Sequence, residues 1–287
     1  MKLSVIIPSY NSAGTIGDLL EALADQQWSE PWEIIVADNG SSDQTLAIVA
    51  YYQNCLPNLK IVVSSEIRGA GHARNRGAEI AQGDYLAFCD ADDIVGCGWV
   101  AAMGQALSRY DFVAGRLEAQ ELNEPWVNKS RSCPQQNGLQ QYNYPPFLPH
   151  AASCNLGVKA AIHRAVGGYD ENLFKLQDTD YCWRIQLAGT ELHFVPNALV
   201  HYRLRSSMSG ILRQARQWGE YNVVLYKKYR SLGMPALTWR DGLSAWYILL
   251  RQMLNLRYRG QIVRWLWELH WRIGRIRGSI KHRVIGF

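Results

Sequence analysis

The chain lacks any apolar run approaching the roughly 20 residues of a membrane-spanning helix. Its longest candidate, residues 243–250, is less than half that length. It also lacks a Cys-x-x-Cys pair and any Cys/His spacing suited to zinc. Cys55, Cys89, Cys97, Cys133, Cys154 and Cys182 are scattered, which fits a reducing cytosol better than a disulfide framework. No signal peptide is expected, because Met1-Lys2 runs straight into Leu3-Ser4-Val5-Ile6-Ile7-Pro8, which reads as a first strand. No internal repeat is present. Apolar residues make up 48% of the 287, enough for a sizeable core and too many for global disorder.

Acid is scarce at one end. The net charge of +5 divides into a basic segment, 203–287, with 17 Lys/Arg against 3 Asp/Glu, and an acidic remainder, 1–202, with 13 against 22. The basic segment also holds six of the eleven tryptophans. Two parts with different tasks are expected: an α/β domain over 1–205 and a basic, Trp-rich helical extension over 206–287.

Along the first part, runs rich in β-branched residues at 3–7, 33–37, 59–64 and 85–89 predict strands. Helical stretches separate them. Ile16, Leu19, Leu20 and Leu23 have i, i+3, i+4, i+7 spacing, Asp43 is placed to cap a helix over 44–52, and a third helix is expected near 71–81. Alternation of this kind predicts a largely parallel sheet covered by helices. Further strands are expected at 111–118 and 192–195, and helices near 159–166 and 179–187. Residues 123–150, rich in Asn, Gln, Pro and Tyr, read as a long loop.

In such a sheet, ligands bind beyond the carboxyl ends of the strands. Polar clusters fall there: Pro8-Ser9-Tyr10-Asn11 after the first strand, Asp38-Asn39-Gly40-Ser41-Ser42-Asp43 after the second, Asp90-Ala91-Asp92-Asp93 after the fourth. Strand alternation is expected to point Asp90 and Asp92 the same way. Two hard carboxylates suit Mg2+ or Mn2+, which keep waters and bridge to substrate phosphates. Taken alone, the triplet also reads as an acidic turn with capping aspartates.

These segments, with Ala73-Arg74-Asn75-Arg76-Gly77, Gly83-Asp84-Tyr85-Leu86-Ala87-Phe88-Cys89 and Gly167-Gly168-Tyr169-Asp170-Glu171, resemble in order and spacing a family 2 glycosyltransferase of the GT-A fold, over about residues 3–203. The resemblance implies an inverting, metal-dependent transferase that moves a sugar from a nucleoside diphosphate, UDP foremost, to a glycan or lipid-linked acceptor in cell-surface polysaccharide or glycolipid synthesis. It implies that Pro8, Tyr10 and Asp38 hold the base and ribose, and that Arg68 and Arg74 sit near the base or diphosphate. Asp90 and Ala91 would contact the nucleotide sugar, and Asp90, Asp92 and His201 would ligate Mn2+ or Mg2+. The general base would come from Gln177-Asp178-Thr179-Asp180, where the family usually shows Glu-Asp. This chain keeps Asp178 but carries Gln177, which cannot take a proton and can still hydrogen-bond. Asp180 is the rival base, since residues two apart on a helix point about 200° apart.

Two alternatives stay open at this point. A nucleotidyltransferase would need a Gly-rich, basic loop after the first strand, and residues 8–14 contain no basic residue. A non-catalytic sugar-nucleotide-binding module of the same fold is compatible with Gln177. The extension interleaves Arg213, Arg216 and Trp218, then Arg264, Trp265, Trp267, Trp271, Arg272, Arg275 and Arg277. That pattern suits an anionic membrane surface, which would make the protein cytoplasmic and peripheral on the inner face of the cell membrane. The alternative is a helical subdomain that packs its tryptophans inward. Nucleic acid is not expected, because no motif for it accompanies the charge.

Overall fold

The computed structural model describes residues 1–142, 145–254 and 256–286. Asn143 and Tyr144 of the expected long loop, and Asn255 and Phe287 of the expected helical tail, lie outside the described residues.

The chain forms two compact units: residues 1–118, 134–140 and 149–203, and residues 119–133, 141–148 and 204–287. The first is built on an eight-stranded sheet. β1 (Leu3–Ser9), β2 (Trp32–Asp38), β3 (Leu59–Val63) and β4 (Tyr85–Phe88) run parallel in the order β3-β2-β1-β4. β1 is buried along its whole length, so it reads as a continuous apolar run without alternation. Pro8 belongs to this strand rather than to the loop after it. The pairing with β4 ends at Ile6, so the residue without an N–H sits where β1 has one neighbour.

The connecting helices are α1 (Ile16–Ala24), α2 (Thr45–Tyr52) and α3 (Ala70–Ile80). Ile16, Leu19, Leu20 and Leu23 are all fully buried, as their spacing predicts. Asp43 bonds the Thr45 N–H at 3.0 Å, capping α2 from one residue outside its N-cap Gln44. On α3, Gly77 faces β1 so closely that a Cβ there would lie 2.6 Å from Ile6. That contact presses α3 onto the sheet and fixes Arg74 one turn earlier.

The far half of the sheet departs from a parallel reading. β5 (Ile94–Val95), β6 (Phe112–Glu118), β7 (Leu156–Lys159) and β8 (Leu192–His201) complete the order β4-β7-β6-β8-β5. β7 is antiparallel to both neighbours, and β5 is antiparallel to β8. A buried polar node holds this half together. The Asn155 side chain donates to the carbonyls of Arg116 and Ala198, both at 2.9 Å, and accepts from the Trp99 indole at 2.8 Å. Trp99 begins α4 (Trp99–Arg109), a helix with buried residues Trp99, Val100, Met103, Ala106 and Leu107. Two helices follow in this unit, α6 (Ala160–Ala165) and α7 (Gln177–Leu187).

The second unit contains α5 (Pro125–Ser130), α8 (Met208–Tyr229), α9 (Trp239–Met253) and α10 (Arg259–His282). α5 interrupts the stretch expected to be loop. α8 and α10 meet backbone to backbone. A Cβ on Gly219 would lie 2.0 Å from the Trp271 carbonyl, and one on Gly274 2.1 Å from the Arg216 carbonyl. The tryptophans of these helices are engaged inside the unit. Trp218 and Trp267 pack edge-on at 5.6 Å, Arg131 lies over Trp267 at 4.9 Å, and the buried Arg275 lies over Trp271 at 4.7 Å. These contacts occupy the rings of Trp218, Trp267 and Trp271 within the unit.

Candidate active site

The loops after β1 and β2 are tied to each other. Asn11, in a left-handed conformation at φ 48°, donates its N–H to the Ser41 hydroxyl oxygen at 2.9 Å and accepts the Ser42 N–H on its Oδ1 at 2.8 Å. The buried Asp38 carboxylate accepts the N–H groups of Gly40 and Ser41 through Oδ2, both at 3.0 Å. Its Oδ1 and the neighbouring Ser9 hydroxyl are buried without a protein partner. Leaving such groups unmade is costly, and a bound polar group would relieve that. Asn39 shapes the next loop. Its amide donates to the Ser64 and Ile67 carbonyls, and its Oδ1 accepts the Gly69 N–H at 2.8 Å. The segment thereby held delivers Arg68 to Tyr10. The guanidinium lies 4.8 Å over the exposed phenol ring and donates to its hydroxyl. An aromatic face backed by a cation is a platform for a planar base.

Arg74 is the buried cation of the site. It reaches Asp90 Oδ1 at 2.5 Å and lies over Tyr169 at 5.3 Å. Burial opposes its charge, but Asp90, Tyr169 and Asp178 together outweigh that effect and hold the guanidinium protonated. The segment after Asp90 is a turn, not a continued strand, so the alternation expected of Asp90 and Asp92 does not apply. Asp90 turns inward to Arg74 with one third of its side chain exposed, while Asp92 is exposed. Ala91 is buried, and its carbonyl accepts the Thr15 hydroxyl at 2.9 Å. Asp93 is fully inside. Burial, then the charges of Asp92 and Asp90, push its carboxyl well above the usual range, and its Oδ1 accepts the Arg203 N–H at 2.7 Å.

For a divalent cation the donor set divides in two. Asp90, Asp93 and the Cys154 thiol gather within 4.8 Å. Burial pushes both the Asp93 carboxyl and the Cys154 thiol up, which favours their neutral forms and ill suits a hard ion. Asp90 and the exposed Asp92 carry hard oxygens, the donor type that suits Mg2+ or Mn2+. His201 ends β8, with Nδ1 3.0 Å from Glu118 Oε2. Among the described residues, no group of three close donor atoms joins it to Asp90 or Asp92.

α7 contributes the second carboxylate. Asp178 is half-buried in its first turn. Burial raises its pKa above the ordinary aspartate value; the Thr179 N–H, bonded at 2.8 Å, and Arg74 pull it back, and Asp90 adds to the rise. Asp180 has another partner: it is fully buried and paired with Arg184 at 2.8 Å. Gln177 donates to the Leu173 carbonyl and packs on Gly71, where a Cβ would lie 2.8 Å from its Nε2.

A supporting network connects α7 to α3. Asn75 donates to the Tyr169 carbonyl at 2.9 Å and to Glu171 at 2.8 Å, and accepts the Tyr169 N–H at 2.8 Å. His72 contacts Glu171 at 3.0 Å and Glu66 at 3.4 Å. Tyr169 stacks on Tyr181 with ring centroids 4.2 Å apart. Sequence reasoning did not assign roles to Asn39, His72, Asn75 or Tyr169. The Gly167-Gly168 pair, left-handed at φ 75° and 66°, was the available signal that a tight turn there has to meet a neighbour.

A family model described as glycosyl transferase family 2 matches residues 4–167. The glycosyltransferase YibD of Escherichia coli is 44% identical over 94 residues, 33% of this chain and 27% of that protein. The poly(ribitol-phosphate) beta-N-acetylglucosaminyltransferase TarS of Staphylococcus aureus is 42% identical over 97 residues, 33% of this chain and 17% of that one. The chain thus spans about a quarter or less of these two relatives. Among solved structures, the mannosyltransferase PcManGT of Pyrobaculum calidifontis, in complex with GDP-Man and Mn2+, superposes with a TM-score of 0.65 at 16% identity, covering 96% of this chain and 87% of that one. TarS residues 1–349 of S. aureus with UDP-GlcNAc gives 0.55 at 18% identity, covering 99% and 93%. Both similarities concern the fold, which is GT-A.

Proposed function

The chain belongs to glycosyl transferase family 2 and is a glycosyltransferase, and from that premise we propose an inverting transfer from a nucleoside diphosphate sugar, with UDP the nucleotide, to a hydroxyl of a glycan or lipid-linked acceptor in cell-surface polysaccharide or glycolipid synthesis. One observation carries the reading: a carboxylate with raised basicity, Asp178, within electrostatic reach of the Arg74–Asp90 pair.

In this mechanism Asp178 takes the proton of the acceptor hydroxyl as its oxygen bonds to the anomeric carbon. The bond from that carbon to the diphosphate oxygen breaks, and the nucleoside diphosphate leaves with the electron pair. Attack from the face opposite the leaving group inverts the centre. The pairing of Tyr10 with Arg68 supports base stacking, and the unpartnered Asp38 Oδ1 and Ser9 hydroxyl support ribose or base contacts beside Pro8. Arg74 sets the position and charge of Asp90. A Mn2+ or Mg2+ ion held by Asp90 and Asp92 would supply charge neutralisation at the diphosphate, and His201, held by Glu118, is not brought to that pair.

Thermal unfolding with UDP, GDP, dTDP and CDP, each with Mn2+ or with chelator, tests this. A ligand that binds only the folded state raises the midpoint. Stabilisation by UDP that needs Mn2+ and is lost in Asp92→Ala supports the donor and the metal. Equal stabilisation in chelator overturns the metal reading, and no stabilisation by any diphosphate overturns the donor reading.

A further inference from the structure

We infer that α9 is a membrane-contact element that lies along an anionic lipid surface. The residues that lead to this are not the tryptophans of α8 and α10. α9 is apolar on two faces. One face, Gly242 and Leu249 with Ala245 and Trp246 beside them, is turned inward, and the backbone there meets α10: Trp265 donates its indole N–H to the Leu249 carbonyl at 2.8 Å and Arg272 donates to the Ala245 carbonyl at 3.3 Å. The other face carries Leu243, Tyr247, Leu250 and Leu254 at i, i+4, i+7, i+11, exposed by 61%, 61%, 60% and 82%. An apolar helix face is ordinarily covered. Single exposed leucines need no explanation, but a stripe of about 16 Å along one helix does.

Charge identifies what covers it. Between residues 239 and 262 the sequence holds Arg240, Arg251, Arg257 and Arg259 against one acid, Asp241. That acid is bound in the capping box with Thr238 at the start of the helix. Arg240 and Arg251 flank the stripe at helical spacing from Tyr247, and the Arg251 guanidinium lies 5.9 Å from the Tyr247 ring centroid. Aliphatic side chains along one line, a tyrosine among them and arginines at the edge form an interfacial helix, whose apolar face enters the acyl boundary while the cations meet lipid phosphates. Among the described residues, no helix is long and apolar enough to cross a membrane, so the contact is with the surface.

Flotation of the full chain with vesicles of phosphatidylcholine, with and without phosphatidylglycerol, tests the inference. The expected result is co-flotation with the anionic vesicles, weakened by salt. Each exposed leucine changed to serine should weaken binding by roughly ten-fold, from about 1.5 kcal/mol of apolar burial. Arg240→Gln and Arg251→Gln should each cost about five-fold. All these positions are exposed, so the thermal midpoint and donor stabilisation should stay unchanged, and a failure here is distinguishable from a failure of the transfer reading. Equal flotation of wild type and a Leu243→Ser/Leu250→Ser/Leu254→Ser variant overturns the inference. So does absence of wild-type flotation, and so does a lipid-free dimer that the same triple variant abolishes, which would make a second copy the occupant.

Discussion

Asp178→Asn separates catalysis from stability in one substitution, and the structure fixes the sign of both effects. The two side chains have nearly the same size, and the oxygen that accepts the Thr179 N–H at 2.8 Å is retained. The first turn of α7 should therefore persist. What disappears is the proton acceptor. A positioned general base contributes about 10²–10⁴-fold, so the rate of nucleoside diphosphate release in the presence of acceptor should fall by that factor, roughly 3–5.5 kcal/mol in the barrier. Stability should move the other way at neutral pH. Burial raises the Asp178 pKa above its unfolded value. The group therefore favours the folded state while protonated, below the ordinary aspartate value of about 3.9, and that contribution is lost as pH rises through the folded value. Asparagine carries no such loss. The variant should unfold at a higher temperature than wild type near neutrality, and the difference should close under acid. The assay is a pair of thermal melts across pH with diphosphate release from a panel of UDP- and GDP-sugars. A variant that keeps most of the activity refutes the assignment of the base, and one that is less stable at neutral pH refutes the electrostatic argument.

Arg74→Met leaves Asp90 without its cation and Tyr169 without its cover. Because Asp90 is one third exposed and can regain water, destabilisation near the lower end of the range for a broken buried pair is expected, about 3 kcal/mol by urea unfolding. Gly168→Ala places a Cβ 2.5 Å from Asn75 Oδ1 at φ 66°, and it should cost about 1–2 kcal/mol from conformation alone, with the clash in addition. Tyr10→Ala should weaken UDP binding by about five- to hundred-fold in calorimetry, the value of one base stacked on an aromatic ring, and leave the melting temperature unchanged because the ring is exposed. Unchanged affinity would remove Tyr10 from the base site.

Much of the first unit is legible in the sequence because its signals are local. The spacing of Ile16, Leu19, Leu20 and Leu23 and the β-branched runs of β1 and β2 each fit within one element. β5 and β7 are not legible in this way. Strands of two and four residues carry no usable period, and β7 is fixed by partners on β4 and β6. Asn155, a polar residue that would ordinarily mark a turn, is the centre of that half because three buried groups converge on it. α4 was not among the expected helices, although Trp99, Val100, Met103, Ala106 and Leu107 carry its buried face at helical spacing. Within the site, family resemblance pointed to Tyr10, Arg68, Asp90 and Asp178, but not to how they are held. Tyr10 and Arg68 meet only because Asn39, on a third segment, bends the intervening loop. The orientation expected for Asp90 and Asp92 assumed a strand where the chain turns. Composition could not distinguish tryptophans at a surface from tryptophans between helices, since both patterns place cations beside aromatics.

The glycine contacts of α8 and α10 have a consequence for the medium in which the protein works. Two helices joined through side chains depend on water to drive them together. Helices that touch at Gly219 and Gly274 are joined in addition by van der Waals contact between main chains, which does not require an aqueous surrounding. Lipid headgroups drawn up around that pair would leave its cohesion largely intact. The same change of surroundings would be felt at α9, whose outward leucines are the side chains that exchange one solvent for another.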